Sequence, residues 1–379
     1  MKTNYTTKLK VPFFAPWITK VDKKAILDAL DATLLTDGPK LREFESAFAR
    51  FTGAKYAIGV SNATAALQLS LKAIGVKKSD QVIIPDMTFV ATANAVINNN
   101  ATPILADISE DLNISTKDIE RKITDKTKVI LPVHFAGKSC NMKEIMKIAK
   151  KNNLAVIEDC AHAIGTKFNG KHVGLFGNVG CFSFYPTKNI TTIEGGMVIT
   201  NSKKIADYIK SSRNHGLTKS LQRRYEKGYP WEYDVIETGY NHRLDEIRSA
   251  LGISQLKRIS KLNSLRRKAS RYYNSKLRLV EGIIVPEITN DDSCHLYIIR
   301  IQKKFGESRN SLYSRLLKSG IQTTVHYKPL HKFTIFRNNK DKNENYPNAN
   351  IMYNEILSLP LYPQISRKEQ DRVINCIIS

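Results

Sequence analysis

"YAIGVSNATAALQLSLKAIG", Tyr56 to Gly75, sets the architecture of this chain. A five-residue β-rich run, "YAIGV", gives way directly to a helical pattern that ends on a glycine. The same alternation then repeats outward. "QVIIP" (81–85), "TPILAD" (102–107), "KVILPV" (128–133) and "LAVIED" (154–159) read as buried strands. Between them lie the helical patterns "VATANAVINN", "STKDIERKI" and "NMKEIMKIAKKNN", with Ser115 and Asp118 placed for a capping box. Strands and helices at this spacing specify an α/β fold with a mainly parallel central sheet, helices covering both faces.

Beyond about residue 180 the rhythm changes. "GCFSFYP" and "GGMVITN" are two short strands joined by a loop that carries Lys188. From Leu244 to about Lys276 a single long helical pattern is expected, followed by a smaller α+β unit. The expected division is a large α/β domain over 1–255, including the N-terminal segment, and a small C-terminal α+β domain over 256–379.

The chain of 379 residues has a net charge of +24, and nine Lys or Arg with no acid lie between Lys257 and Arg278. Such a block can follow a phosphate backbone, which makes a non-catalytic nucleic-acid-binding or regulatory role one reading. A solvated helix face is the plainer one, and no helix-turn-helix, zinc-finger or RNP pattern accompanies the block. Nucleic acid is therefore not the expected partner. A basic balance also suits a small anionic substrate. No apolar run reaches eighteen residues and the N-terminus has no secretory pattern, so no membrane span is expected. Cys140, Cys160, Cys181, Cys294 and Cys376 are odd in number and scattered, which fits a reducing cytoplasm better than a disulfide framework.

Three motif readings fail. "GTKFNGKH" (165–172) nearly fits a nucleotide-triphosphate loop, but His172 replaces the magnesium-binding hydroxyl and "NGK" reads as a hairpin turn. No G-x-S-x-G marks a serine hydrolase, and no H-E-x-x-H marks a metal.

In open parallel sheets, ligands gather at the carboxyl ends of the strands. Ser61, Asn62 and Thr64 start a helix there, which is either plain capping or a phosphate cradle. His134, Asp159 and His162 fall at or just past such ends, and Lys188 follows on a tight loop. A buried Asp159 needs a positive partner. A salt bridge to Lys188 is one solution. Pyridoxal phosphate between them is another, since that cofactor takes a lysine for its Schiff base, an acid at its ring nitrogen and a helix start for its phosphate. Phe89 is then placed to stack on the ring, or else to fill the core.

Here the residues resemble a known family. "TDGPKLREFE", "VSNATAALQLSL", "PDMTFVATANAV", "VIEDCAHAIGTKFNGKHVG", "CFSFYPTKNITTIEGGMV", "NHG", "GYNHRLDEIRSALG", "HYKPLH" and "LSLPLYP" occur in order from about 34 to 363. The chain resembles the DegT/StrS sugar aminotransferases, pyridoxal-phosphate enzymes with the aspartate-aminotransferase fold. The resemblance implies that Lys188 carries the Schiff base and Asp159 holds the pyridinium nitrogen. It places His162 near the phenolic oxygen, Phe89 on the ring face, and Ala63, Thr64 and Ser183 at the phosphate. It implies that Asn241 reaches the phosphate of a neighbouring subunit in a homodimer with shared active sites, and that His326 and His331 approach the nucleotide sugar.

The implied reaction moves an amino group from glutamate, through pyridoxamine phosphate, to a keto-sugar on a nucleotide. A UDP-4-keto-6-deoxyhexose is the expected acceptor, with GDP- or dTDP-linked sugars and the C3 position as alternatives. Two departures stand out: S-N-A-T where S-N-G-T is common, and Ile193 where "GE" is common before the glycine pair. A sister group of dehydratases has histidine at the lysine position; Lys188 favours transamination.

Overall fold

A computed structural model describes residues 9–218, 229–337 and 345–379. Two helices, α1 (Lys20–Leu30) and α2 (Pro39–Thr52), precede the first strand, β1 (Tyr56–Val60). The alternation read from the sequence follows as α3 (Ala63–Ile74), β2 (Gln81–Pro85), α4 (Ala91–Ile97), β3 (Thr102–Ala106), α5 (Thr116–Lys122), β4 (Thr127–Ile130), α6 (Met142–Lys151) and β5 (Ala155–Asp159). A hairpin, β6 (Lys167–Phe168) and β7 (Lys171–His172), leads to β8 (Val179–Ser183), β9 (Gly196–Thr200) and α7 (Lys203–Ser212).

The seven-stranded sheet runs β1-β9-β8-β5-β4-β2-β3, and β9 alone pairs antiparallel with its neighbours. β-Strands 2 to 5 therefore all deliver their carboxyl ends to one edge of the sheet, together with the end of β1 and the start of α3. The residues of β2, β4 and β5 are mostly buried, as a sheet covered on both faces requires.

Local chemistry explains several boundaries. The side chain of Asn62 caps α3 by accepting from the Ala65 amide at 2.8 Å, which leaves the Ala63 and Thr64 amides as first-turn donors without a helical partner. Ser115 caps α5, but the expected box is only half formed: Asp118 turns its carboxylate to the Asp107 amide (2.7 Å) and Arg121 instead. Buried Glu246 accepts from the amides of Gly38, Lys40 and Leu41 at 2.7–3.0 Å, so one carboxylate satisfies the first turn of α2. A Cβ on Gly38 would lie 2.6 Å from that carboxylate, which is why the turn needs glycine.

The long helix expected from Leu244 is two helices, Glu246–Leu256 and Ile259–Leu277. The break falls at Lys257 and Arg258, and Arg258 is drawn aside to the Trp17 carbonyl and to Asp22. The first helix is buried almost all round, whereas the second buries positions at helical spacing, Leu262, Arg266, Ala269, Tyr273 and Leu277.

The remaining chain builds a three-stranded antiparallel sheet of β10 (Ile283–Ile284), β11 (Tyr297–Ile301) and β12 (Ile356–Leu359). Its own core contains Tyr273, Tyr297, Leu312 and Leu357. Val11 joins that core and pairs with Ile321, so part of the N-terminal segment lies with the second unit. Leu296, Ile298 and Ile356 pack instead into the core of the large sheet. No helix among the described residues is long and apolar enough to cross a membrane.

Candidate active site

The strand alternation of β8 decides how "FSFYPTKN" is used. Phe182 and Phe184 face one way, into a cluster with Phe44 and Phe48 (ring centroids 5.1–6.1 Å apart), where truncation of Phe48 would cost about 3–5 kcal/mol. Ser183 between them is buried on the opposite face. The chain then turns, the Lys188 amide donating to the Tyr185 carbonyl at 2.8 Å. Asn189 anchors the loop by donating to Asn263 Oδ1 (2.7 Å) and the Ser293 carbonyl (2.8 Å). Lys188 is thus held half-buried, at the meeting of two clefts lined by Phe13, Phe14, Trp17, His295, His326 and Tyr327. Burial lowers its amine to about 8, although the Asp159 carboxylate opposes the shift.

Asp159 ends β5 and is buried. Its Oδ1 accepts from the Ala161 amide (3.1 Å) and its Oδ2 from the Thr92 hydroxyl (3.0 Å). Thr92 is in turn 3.0 Å from the Thr88 hydroxyl. Burial raises the Asp159 carboxyl, while those two donors and Lys188 pull it back. His162 is buried; its Nε2 lies 3.2 Å from the Tyr327 hydroxyl, and its Nδ1 meets no partner. Burial, then the neighbouring Lys188 and His326, lower its ring well below the ordinary imidazole value. His295 packs against the His162 ring at 4.4 Å.

The other expected residues divide. Phe89 is 56% exposed, with its ring 5.9 Å from that of Tyr327, so it does not fill the core. Ala63 and Thr64 start α3, and at this point the structure is tight: a Cβ on Gly196 would lie 2.6 Å from the Asn62 carbonyl and 2.9 Å from the Ala63 amide. Asn241 is exposed, in a bridge with Asn214. His326 lines the Lys188 cleft, its Nδ1 2.9 Å from the Ser358 hydroxyl, and burial lowers it to about 4. His331 is not brought there. It is buried, with its Nδ1 2.6 Å from Asp86 Oδ2, its amide on Asp86 Oδ1 and its ring stacked on Tyr346. Residues 219–228 lie outside the described residues.

His134, Glu158 and Cys160 converge, but the ring of His134 and the carboxylate of Glu158 are already bonded inside the fold. Glu158 accepts from the Gly174, Phe176 and Gly177 amides at 2.7–2.8 Å and pairs with His134 Nε2 at 3.0 Å. His134 Nδ1 accepts from the Cys140 amide. The trio braces β5 against the turn before β8.

A model of the DegT/DnrJ/EryC1/StrS aminotransferase family matches residues 16–378. The chain belongs to this family. Among curated relatives, it is 38% identical over 373 residues to the spore coat polysaccharide biosynthesis protein SpsC of Bacillus subtilis, covering 97% of this chain and 96% of that one. Among solved structures, PseC of Helicobacter pylori, an aminotransferase involved in the biosynthesis of pseudoaminic acid, superposes with a TM-score of 0.90 at 32% identity, covering 97% and 98% of the two chains. A putative sugar aminotransferase of Streptococcus pneumoniae in its PMP form gives 0.91 at 30% identity, covering 97% and 98%. This DegT/StrS chain therefore has the aminotransferase α/β fold and is an aminotransferase, and enzymes of its family depend on pyridoxal phosphate.

The residues present fit that cofactor. An orphaned buried nitrogen on His162, an exposed aromatic face on Phe89, free first-turn amides on α3 and a buried carboxylate at Asp159 are the donor set that a phosphorylated pyridine would satisfy. Sequence reading missed Thr92, His295 and Tyr327. Thr92 stood inside the quoted "TFVATANAV", one helical turn after Thr88, and that i, i+4 hydroxyl pair was the available signal. Nothing local marks His295, whose place depends on the packing of the second unit.

Proposed function

We propose that this sugar aminotransferase moves the amino group of glutamate to a nucleotide-linked keto-sugar, a UDP-4-keto-6-deoxyhexose, giving a UDP-4-amino-4,6-dideoxy sugar. The observation that carries the reading is the opposition of half-buried Lys188, with its lowered amine, to buried Asp159 beside the unpartnered His162 Nδ1.

Bound pyridoxal phosphate supplies an electron-poor ring that accepts the electrons of the bond broken at the amino carbon. Asp159 would keep the ring nitrogen protonated, Phe89 would cover a ring face, and Ala63, Thr64 and Ser183 would hold the phosphate. Lys188 Nζ, once neutral, takes the proton from the α-carbon of glutamate and later delivers one to the sugar carbon that receives nitrogen. His326, in the wall of the Lys188 cleft, faces the sugar nucleotide; His331, tied to Asp86, has no part in it. Asn241 is exposed on the single chain, which supports its serving a second copy in a homodimer. We likewise propose 1–255 and 256–379 as the domain division, and a cytoplasmic setting, which the five free cysteines support.

The test is a panel of UDP-, GDP- and dTDP-linked 3- and 4-keto-sugars, each with glutamate. The expected result is an amino-sugar from the UDP-4-keto substrate with an equal amount of 2-oxoglutarate. Amination of only the GDP- or dTDP-linked sugars would replace the nucleotide assignment. A colourless protein that takes up no pyridoxal phosphate would overturn the cofactor reading as a whole.

A further inference from the structure

Tyr327 is reached from the second unit, yet its hydroxyl ends on His162, a residue of the large sheet. Its ring is tilted against Phe89 and edge-on to Phe135, each at 5.9 Å. No other hydrogen-bond partner reaches the His162 ring among the described residues. His295, whose ring is tilted against it, has its Nδ1 on Asn189 Oδ1 at 3.2 Å. The groups facing the His162 ring are thus Tyr327, His295, His326 and Lys188, with Asp159 acting on the Tyr327 phenol.

A neutral imidazole carries one N–H, and the hydrogen bond at one nitrogen decides what the other can do. Two arrangements fit the 3.2 Å contact. Either the phenol donates to Nε2 and the proton sits on Nδ1, or Nε2–H donates to the phenol and Nδ1 is bare. A phenol is a better acid than an imidazole N–H, and an imidazole nitrogen is a better base than a phenol oxygen. The first arrangement pairs the stronger donor with the stronger acceptor. Burial keeps both groups in their neutral forms.

We propose that Tyr327 is a positioning residue: its hydroxyl donates to His162 Nε2, fixes the proton on Nδ1, and so makes the orphaned nitrogen a donor toward an acceptor oxygen of the cofactor. This rests on the pyridoxal-phosphate reading above. Such a donor stabilises negative charge on the ring oxygen and makes the Lys188-linked nitrogen less basic.

The test compares wild type, Tyr327→Phe, His162→Gln and the double variant, each reconstituted with pyridoxal phosphate and titrated by visible absorbance. Tyr327→Phe should raise the spectral midpoint by about one pH unit. That shift should vanish in the His162→Gln background, because an amide has no tautomer to fix. A Tyr327→Phe titration identical to wild type, or an equal shift in both backgrounds, overturns the proposal. A second measurement does not depend on the cofactor: in nitrogen-labelled apoprotein, His162 should show the Nδ1–H tautomer in wild type and lose it in Tyr327→Phe. The Nε2–H form in wild type overturns the proposal, also where Tyr327→Phe proves too unstable to titrate. If wild type binds no pyridoxal phosphate while the Nδ1–H tautomer is present, the cofactor reading fails and the hydrogen-bond assignment stands.

Discussion

Two regions of this chain carry conspicuous basic residues, and the structure uses them in opposite ways. The helix Ile259–Leu277 and the residues around it spend their cations on the fold. Arg266, 3% exposed, donates to the His295 and Leu361 carbonyls, Arg267 to the Asp292 carbonyl, and Arg258 to Trp17 and Asp22. The loop of Lys188 carries one cation, with no hydrogen bond to its amine among the described residues and with clefts on two sides. Charge number along the sequence is thus a poor guide to function. What matters is whether a cation's donors are already consumed.

The comparison can be broken most directly at Lys188. Lys188→Ala should lower turnover by about a thousandfold or more, since the base and the cofactor tether are lost together. It should leave the melting temperature of the apoprotein close to wild type. Retained activity would return Lys188 to an ordinary surface charge.

Arg266→Ala should do the reverse. Removing a buried guanidinium strands two carbonyls and opens a gap, costing about 3 kcal/mol of stability. Denaturant unfolding of the apoprotein would show it, and an unchanged midpoint would mean that water replaces the arginine without penalty.

Thr92→Val keeps the shape and removes the hydroxyl that donates to Asp159 Oδ2. Burial already raises Asp159, so losing that donor raises it further, and affinity for pyridoxal phosphate should fall about tenfold. Titration by fluorescence checks this. Equal affinity would assign Thr92 to packing alone.

The pH dependence sharpens the contrast without mutation. Lys188 titrates at about 8 when folded, against an ordinary value near 10.5, so its charged form is disfavoured by folding. That penalty is complete below 8 and fades as pH rises toward 10.5. The neutral, reactive fraction therefore grows as pH rises through 8. Capture of pyridoxal phosphate by the apoprotein should follow that midpoint; a midpoint near 10.5 would mark a solvated amine.

The smallest effect is expected on the outer face of the basic helix. Lys261, Lys268 and Lys276 are exposed, and replacing each by glutamine should change stability by no more than about 0.5 kcal/mol. Filter binding of nucleic acid to wild type should be weak and indifferent to salt. A steep salt slope, lost in the triple variant, would revive the nucleic-acid reading.

What was legible in the sequence follows from local rules. Strand-helix alternation gave the order and burial of β1 to β5, because each strand carries its own apolar code and α3, α5 and α6 each carry their own cap. "NGK" was read as a hairpin turn, and Asn169 and Gly170 both adopt positive φ there (49° and 78°). Asp159 and Lys188 could be singled out because strand ends and tight loops are locally marked. The single helix expected from Leu244 failed because its break depends on Arg258 reaching Trp17 and Asp22, more than two hundred residues earlier.

His326 and His331, five residues apart in one motif, make the division plain. The sequence by itself placed both near the substrate and had no means to separate them. Tertiary structure turns His326 to the Lys188 cleft and buries His331 against Asp86, a partner 245 residues away. Local sequence determined most of the elements and caps, and which polar residues fall at strand ends. Packing between distant segments decided which polar groups are used up inside the fold and which, like His162 Nδ1, are left without a partner. A hydrogen bond satisfied across the fold leaves no trace in the spacing of either residue.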